Sequence, residues 1–205
     1  MMDEYIKLIV MLQAIGQNGL TYANNPFDKE RYEEIRNIAC KLLEYKNDLP
    51  FEKIKDLFAS DNGYQTPKID TRAAIFKDDK ILLVKENNGF WSLPGGWCDV
   101  LESVKSNTIK EVKEETGLNV KPLKLIALMD RNKHNTPVYV YGVCKAFVLC
   151  ETIDGAFTKN NETIETKYFS LKEIPKNLAN EKTTLKQIEL CFKANNEKDF
   201  ITYFD

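Results

Sequence analysis

With 205 residues, 29 Lys and Arg against 31 Asp and Glu, and a formal charge of -2, the chain has room for one well-buried domain plus an appendage, or for two small domains. Acids and bases are interleaved, which removes the long-range attraction expected of a general nucleic-acid binder, and no stretch approaches the roughly 20 apolar residues that cross a bilayer. The start, MMDEYIKLIVMLQAIGQNG, lacks the basic region and cleavage site of a secretion signal, and five scattered cysteines without a C-x-x-C pair suggest a reducing, cytoplasmic setting with neither disulfides nor structural zinc.

Up to about Ser60 the pattern is helical. Tyr5, Leu8, Ile9, Leu12 and Ile15 recur at three- and four-residue intervals, and the glycines of GQNGL are expected to stop that helix. In NNPFDKERYEEIRNIACKLLEYKN, Asn25 offers a cap, Pro26 the first helical position and Asp28 a first-turn acid, while Tyr32, Ile35, Ile38, Ala39, Leu42 and Leu43 form one stripe. PFEKIKDLFAS predicts a third, shorter helix. DNGYQTPKID, residues 61–70, holds an Asn-Gly turn signal and a proline, and beyond it the period changes from helical to alternating. The boundary falls there, giving a helical unit over 1–66 and a second domain over 67–205.

IDTRAAIF, KILLVKE and WSLP read as strands, followed by a helix that Gly117 ends. KPLKLIALMD, TPVYVYGVCKAFVLCE and TKYFSL return to strand chemistry, and NEKTTLKQIELCFKANN closes with a helix apolar at Leu185, Ile188, Leu190, Cys191 and Phe192. This order predicts an α+β fold, a sheet covered by helices behind an all-helical cap.

WSLPGGWCDVLESVKSNTIKEVKEETGL, residues 91–118, crowds acids onto one short helix behind a Pro-Gly-Gly turn. Glu111, Glu114 and Glu115 fall within an arc of about 100°, and like charges at this spacing cost a helix roughly 0.2–0.5 kcal/mol per pair. A solvated helix face with Lys110 and Lys113 pairing its acids is the competing reading. A divalent cation would reverse the sign of the repulsion, and oxygen-only ligands select Mg²⁺ or Mn²⁺. The adjacent glycines leave backbone groups open to an ion or a phosphate, while Ile109 and Val112 can anchor the opposite side of the helix to the sheet. Together these features suit metal-assisted attack of water on a phosphate ester or anhydride.

The spacing is Gly96, five residues, Glu102, seven residues, Lys110, Glu111, Val112, one residue, Glu114, Glu115, one residue, Gly117, Leu118, behind a GFWSLPGG lead-in. It resembles the Nudix box, with Lys110 where the box usually has arginine. LQAIGQNGLTYANNPFDKERYEEIRNIA and GYQTPKIDTR are similar to the helical N-terminal region and linker of a bacterial Nudix branch acting on nucleoside diphosphates linked to another moiety (NDP-X), CDP-choline and ADP-ribose among them. The resemblance implies an alpha/beta/alpha sandwich with a mixed sheet, a homodimer assembled through the N-terminal helices, and a small-molecule nucleotide substrate.

Carried onto this chain, the resemblance makes Glu111 and Glu115 the principal metal ligands, with Glu114 and the Gly96 carbonyl assisting. Glu111 and Glu114 also enter as catalytic groups. Glu102, Lys110 and Gly117 become structural members of the box, Glu102 bonding within the loop and helix, for example to Lys110. Related enzymes take a catalytic base from a later loop, where KNNETIETKYF supplies Glu162 and Glu165; Glu162 is preferred for its polar surroundings. Arg72 and Asp70 sit at alternate positions of one strand and are candidates to bind substrate phosphate or to pair with each other. His134, Trp97 and Cys98 carry weaker signals, and Trp91 is read as core. A non-catalytic nucleotide sensor on the same fold is the alternative function.

Overall fold

The computed structural model describes residues 3–46 and 49–205. Contacts divide the chain into two units, Met1–Pro67 with Val138–Gly142, and Lys68–Pro137 with Val143–Asp205.

The first unit contains α1 (Glu4–Tyr22), α2 (Pro26–Glu44) and α3 (Phe51–Phe58). Asn25 caps α2 by accepting from the Phe27 amide, with Pro26 at the first helical position as its fixed φ favours. Asn47, at the end of the segment read as this helix, lies outside the described residues. The glycines of GQNGL do not stop α1, which runs through both of them. They serve close packing instead: a Cβ on Gly16 would lie 2.7 Å from Arg36 Cγ, and one on Gly19 would lie 2.3 Å from the Tyr32 ring. Ile9, Ala39, Cys40, Leu43, Ile54 and Phe58 form the core, and Val140 packs against them.

The second unit is a seven-stranded mixed sheet with β1 (Lys68–Lys77), β2 (Lys80–Glu86), β3 (Trp91–Ser92), β4 (Leu118–Asp130), β5 (Val143–Gly155), β6 (Thr163–Phe169) and β7 (Tyr203–Phe204). The path runs β3-β2-β1-β5-β4-β7, with β6 paired to β2; β1 is antiparallel to β2 and parallel to β5. Alternation along the strands sorts side chains to two faces. Ala73, Ile75, Leu82, Val148 and Cys150 meet α4 (Val104–Thr116) through Val112. Ala74, Ile81, Leu83, Phe147 and Leu149 lie on the opposite face, beneath Ile188, Cys191 and Phe192 of α6 (Leu185–Asn196). This is the expected sandwich of helices around a mixed sheet.

One local difference from the sequence reading has a simple cause. The strand expected from Thr136 begins only at Val143, because Pro137 has no amide to give a ladder and Val140 is taken up by the helical core. The stretch around His134, to which no element was assigned, makes a single helical turn, α5 (Arg131–His134), and His134 Nε2 lies 2.5 Å from Asp205 Oδ2. Among the described residues no helix is long and apolar enough to cross a membrane.

Candidate active site

The Pro-Gly-Gly turn is laid along β1. Ala73 N–H donates to Pro94 O and Thr71 N–H to Gly96 O, both at 2.8 Å. Gly95 has φ +137° and no room for a side chain, since a Cβ would fall 2.0 Å from Thr71 O. Its amide is turned toward α4 and donates to Glu115 Oε2 at 2.8 Å. Gly96 lies against the other acid, because a Cβ there would meet Glu111 Oε2 at 2.6 Å.

The helix carrying these acids is fixed at both ends and along its inner face. Ser103 and Ser106 form a reciprocal capping box, and Gly117, in the left-handed conformation, ends the helix with its amide on Lys113 O. Buried Asn107 donates to Thr71 Oγ1 at 2.9 Å, tying the first turn to β1. Val112 is fully buried and contributes about 1.5–3 kcal/mol of apolar transfer energy. With that side held by the sheet, Glu111 and Glu115 are left facing the glycine turn.

Lys110 gathers acids as a point charge. Its ammonium lies 2.9 Å from Asp99, 3.0 Å from Glu111 and 3.6 Å from exposed Glu114, and these partners raise its pKa, Asp99 foremost. Glu102, a proposed partner from the sequence, is not among them. Burial raises the Glu111 carboxyl despite Lys110, and it pushes Glu115 up to about 7 against the attraction of Arg72 and the Gly95 amide. Arg72 and Asp70 adopt the mutual pairing left open above, through two bonds of 2.8 and 2.7 Å, and Lys145 Nζ adds a third at 2.9 Å to Asp70. All three are buried in the sheet beside the site. Burial opposes the Arg72 charge, but Asp70, with Glu115 and Glu86 beyond it, sustains that charge.

A stability profile follows from Glu115. Between the ordinary value of 4.5 and about 7, the unfolded chain ionises this carboxyl while the folded chain keeps it protonated. The unfolded state then binds fewer protons, so metal-free stability falls as pH rises across that window, by roughly 2–3 kcal/mol from this group. Urea denaturation at pH 5 and pH 7 should show the fall in the wild type. Glu115→Gln should flatten it.

A later loop meets the box helix across a cleft. Asn160 Nδ2 donates to Glu114 O at 2.9 Å, while its Oδ1 accepts from the Glu162 and Thr163 amides at 3.0 and 2.8 Å. A cavity of about 440 Å³ is lined by Glu86, Asn87, Asn88, Glu115, Asn161, Glu162 and Lys182. Glu162 therefore lines the same cavity as Glu115, whereas Glu165 is drawn to Lys85 at 3.6 Å across the β2–β6 pair. Glu86, Lys182 and Asn160 escaped the sequence reading. The one available signal was the Glu-Asn-Asn-Gly turn after β2, which marks a hairpin but not what it faces.

Among the described residues no three Asp, Glu, His or Cys side chains converge closely enough to hold an ion as they stand. Glu111 is turned to Lys110, and Glu115 to the Gly95 amide. The donor set nonetheless fits a hard divalent cation in kind: carboxylate oxygens, repelling one another on one helix face, beside a glycine whose missing Cβ leaves room for one of them.

A glycine turn and an acidic helix on a mixed α/β/α sandwich suit hydrolysis of a phosphate anhydride, and the matches to known proteins give the class, a Nudix pyrophosphohydrolase. Residues 67–188 match the NUDIX domain, and residues 3–58 match the domain described as UDP-X-like, N-terminal oligomerisation domain. The chain belongs to the Nudix family. YjhB of Bacillus subtilis (strain 168) is 35% identical over 195 residues, spanning 95% of this chain and 93% of its relative. An ADP-ribose pyrophosphatase of Methanocaldococcus jannaschii is 32% identical over 117 residues, 55% of this chain and 68% of that protein. Among solved structures, an ADP-ribose pyrophosphatase of Streptococcus suis 89-1591 is similar with a TM-score of 0.64 and 50% identity, over 68% of this chain and 100% of that one. A UDP-X diphosphatase is similar with a TM-score of 0.63 and 33% identity, over 98% of each chain.

Proposed function

We propose that the protein hydrolyses the pyrophosphate bond of an NDP-X compound, of the ADP-ribose or UDP-X type that its relatives' names give, releasing a nucleoside monophosphate and phosphorylated X. CDP-choline belongs to the same substrate class. The observation that carries the reading is the cleft lined by both Glu115 of the box and Glu162 of a distant loop.

Glu111 and Glu115, with Glu114 and the Gly96 carbonyl, would hold Mg²⁺ or Mn²⁺. When bound, such an ion polarises phosphoryl oxygens and lowers the pKa of a bound water. Glu162 accepts a proton from the attacking water at its carboxylate. Lys110 keeps Glu111 and Glu114 from spreading apart, and the Gly95 amide fixes one oxygen of Glu115. Arg72, locked by Asp70, supplies buried positive potential behind the acids. A screen of NDP conjugates with Mg²⁺ and Mn²⁺, with products identified by mass, tests the reading. Release of inorganic phosphate alone, or no turnover of any conjugate, would overturn it.

The N-terminal helices, residues 1–66, are proposed to assemble a homodimer, in keeping with the oligomerisation-domain match over 3–58. Leu8, Met11 and Ile15 lie along one side of α1 at 63, 59 and 55% exposure, a stripe that a second copy would cover. Met11→Glu combined with Ile15→Lys should convert a dimer into a folded monomer, read by light scattering with circular dichroism as the folding control. A wild-type chain that is monomeric at micromolar concentration would remove the proposal.

A further inference from the structure

A diphosphate brings negative charge into a cleft that already presents Glu86, Glu115 and Glu162. Among the described residues lining it, Lys182 is the only cation. The Lys182 backbone is tied to the catalytic turn. The segment before it runs beside β3, with Trp91 N–H on Asn177 O at 3.0 Å and Ala179 N–H on Trp91 O at 2.8 Å. Fully buried Thr183 then accepts the Leu93 amide at 3.2 Å, two residues before Gly95. The side chain is also held. Lys182 Nζ lies 2.7 Å from Glu86 Oε1, and Glu86 in turn accepts from Ser92 Oγ at 3.3 Å and Asn88 Nδ2 at 3.2 Å. Lys182 thus reaches the cleft from a segment hydrogen-bonded to the stretch that leads into the Gly95 turn.

We infer that Lys182 is a substrate-binding residue, whose ammonium exchanges Glu86 for a non-bridging oxygen of the substrate diphosphate and offsets charge on the departing phosphate. The inference rests on the NDP-X reading. Three features favour it over a salt bridge that only braces the loop. The lysine side chain is 37% exposed, so its head is open to an entering ligand. A flexible stem with three rotatable donors can change partners without moving the backbone. A disubstituted diphosphate, with one charge on each of two adjacent phosphoryl groups, also competes well with a single carboxylate whose two oxygens already accept from Ser92 and Asn88.

The full-length Mg²⁺-loaded protein supplies the test, with ADP-ribose and UDP-glucose as substrates and inorganic pyrophosphate as competing ligand. Lys182→Met should lower kcat/KM and weaken pyrophosphate inhibition, each by roughly tenfold or more, while Mn²⁺ affinity from titration of the metal-free protein stays within about twofold. Lys182→Arg should recover most of the loss. Glu86→Gln removes the competing partner and should tighten pyrophosphate by several-fold. A brace predicts instead that Glu86→Gln and Lys182→Met weaken pyrophosphate alike, which would overturn the inference, as would wild-type turnover with Lys182→Met unimpaired. The Glu86→Gln comparison decides the matter even if the methionine variant fails to fold. Failure of the wild type to hydrolyse any conjugate would overturn the NDP-X reading and this inference together.

Discussion

Glu115→Gln is expected to cut metal-dependent turnover by about a thousandfold or more while leaving the fold intact, because it removes one charge from the proposed cation site without changing size or helix propensity. The side-chain oxygen that accepts the Gly95 amide survives the substitution, so the turn and helix stay joined. What is lost is the attraction for a cation and a counter-charge for buried Arg72. The loss should appear first in the metal concentration needed for half-maximal rate, and raising Mg²⁺ should recover only part of it. Undiminished turnover at limiting metal would show that the ion, if one binds, is held elsewhere.

Glu162→Gln should have the second largest effect, a fall in kcat of roughly 10² to 10⁴, the usual range for a removed general base. Substrate and metal affinity should change little, because the amide keeps the shape of the cleft wall. The residual rate should climb with pH as hydroxide takes over from base-assisted water. Glu165→Gln is the control. Its carboxylate is drawn to Lys85 on the neighbouring strand, and its loss should cost less than threefold in rate. If the Glu165 variant proves the slower enzyme, the base is on the strand and not on the loop.

Local chemistry was legible where one short stretch of chain determines the outcome. The Asn25-Pro26 cap, the inward face of Val112 and the helix stop at Gly117 are each set by residues within a turn or two, and each occurs as the pattern indicates. Gly16 and Gly19 misled because a glycine in a helix has two meanings, a stop or a close approach. Only the neighbours, Arg36 and Tyr32, decide between them. Thr136–Gly142 has strand composition but gives Val140 to another core, a choice that no local period encodes. The cleft was legible by halves. Glu115 stood out by its spacing and Glu162 entered only through the family resemblance, whereas Glu86 and Lys182 are distant in sequence and become neighbours only through the pairing of the 177–183 segment with β3.

The exit of the acidic helix has a consequence for ion exchange. A Cβ on Gly117 would strike Ala156 O at 2.3 Å, and one on Gly155 would strike Gly117 O at 2.4 Å, so two stretches of bare backbone pass each other where α4 turns into β4. With Asn107 pinning the other end, this scaffold has no hinge on which to swing its carboxylates apart. On the proposed metal reading, capture and release of a cation would proceed by rotation about side-chain bonds, with Glu111 leaving Lys110 and Glu115 leaving the Gly95 amide. Such turns take nanoseconds and cost no packing. If the acids hold the proposed ion, such a centre would be stripped and reloaded while its frame stays still, at a speed set by how readily the ion sheds its water shell.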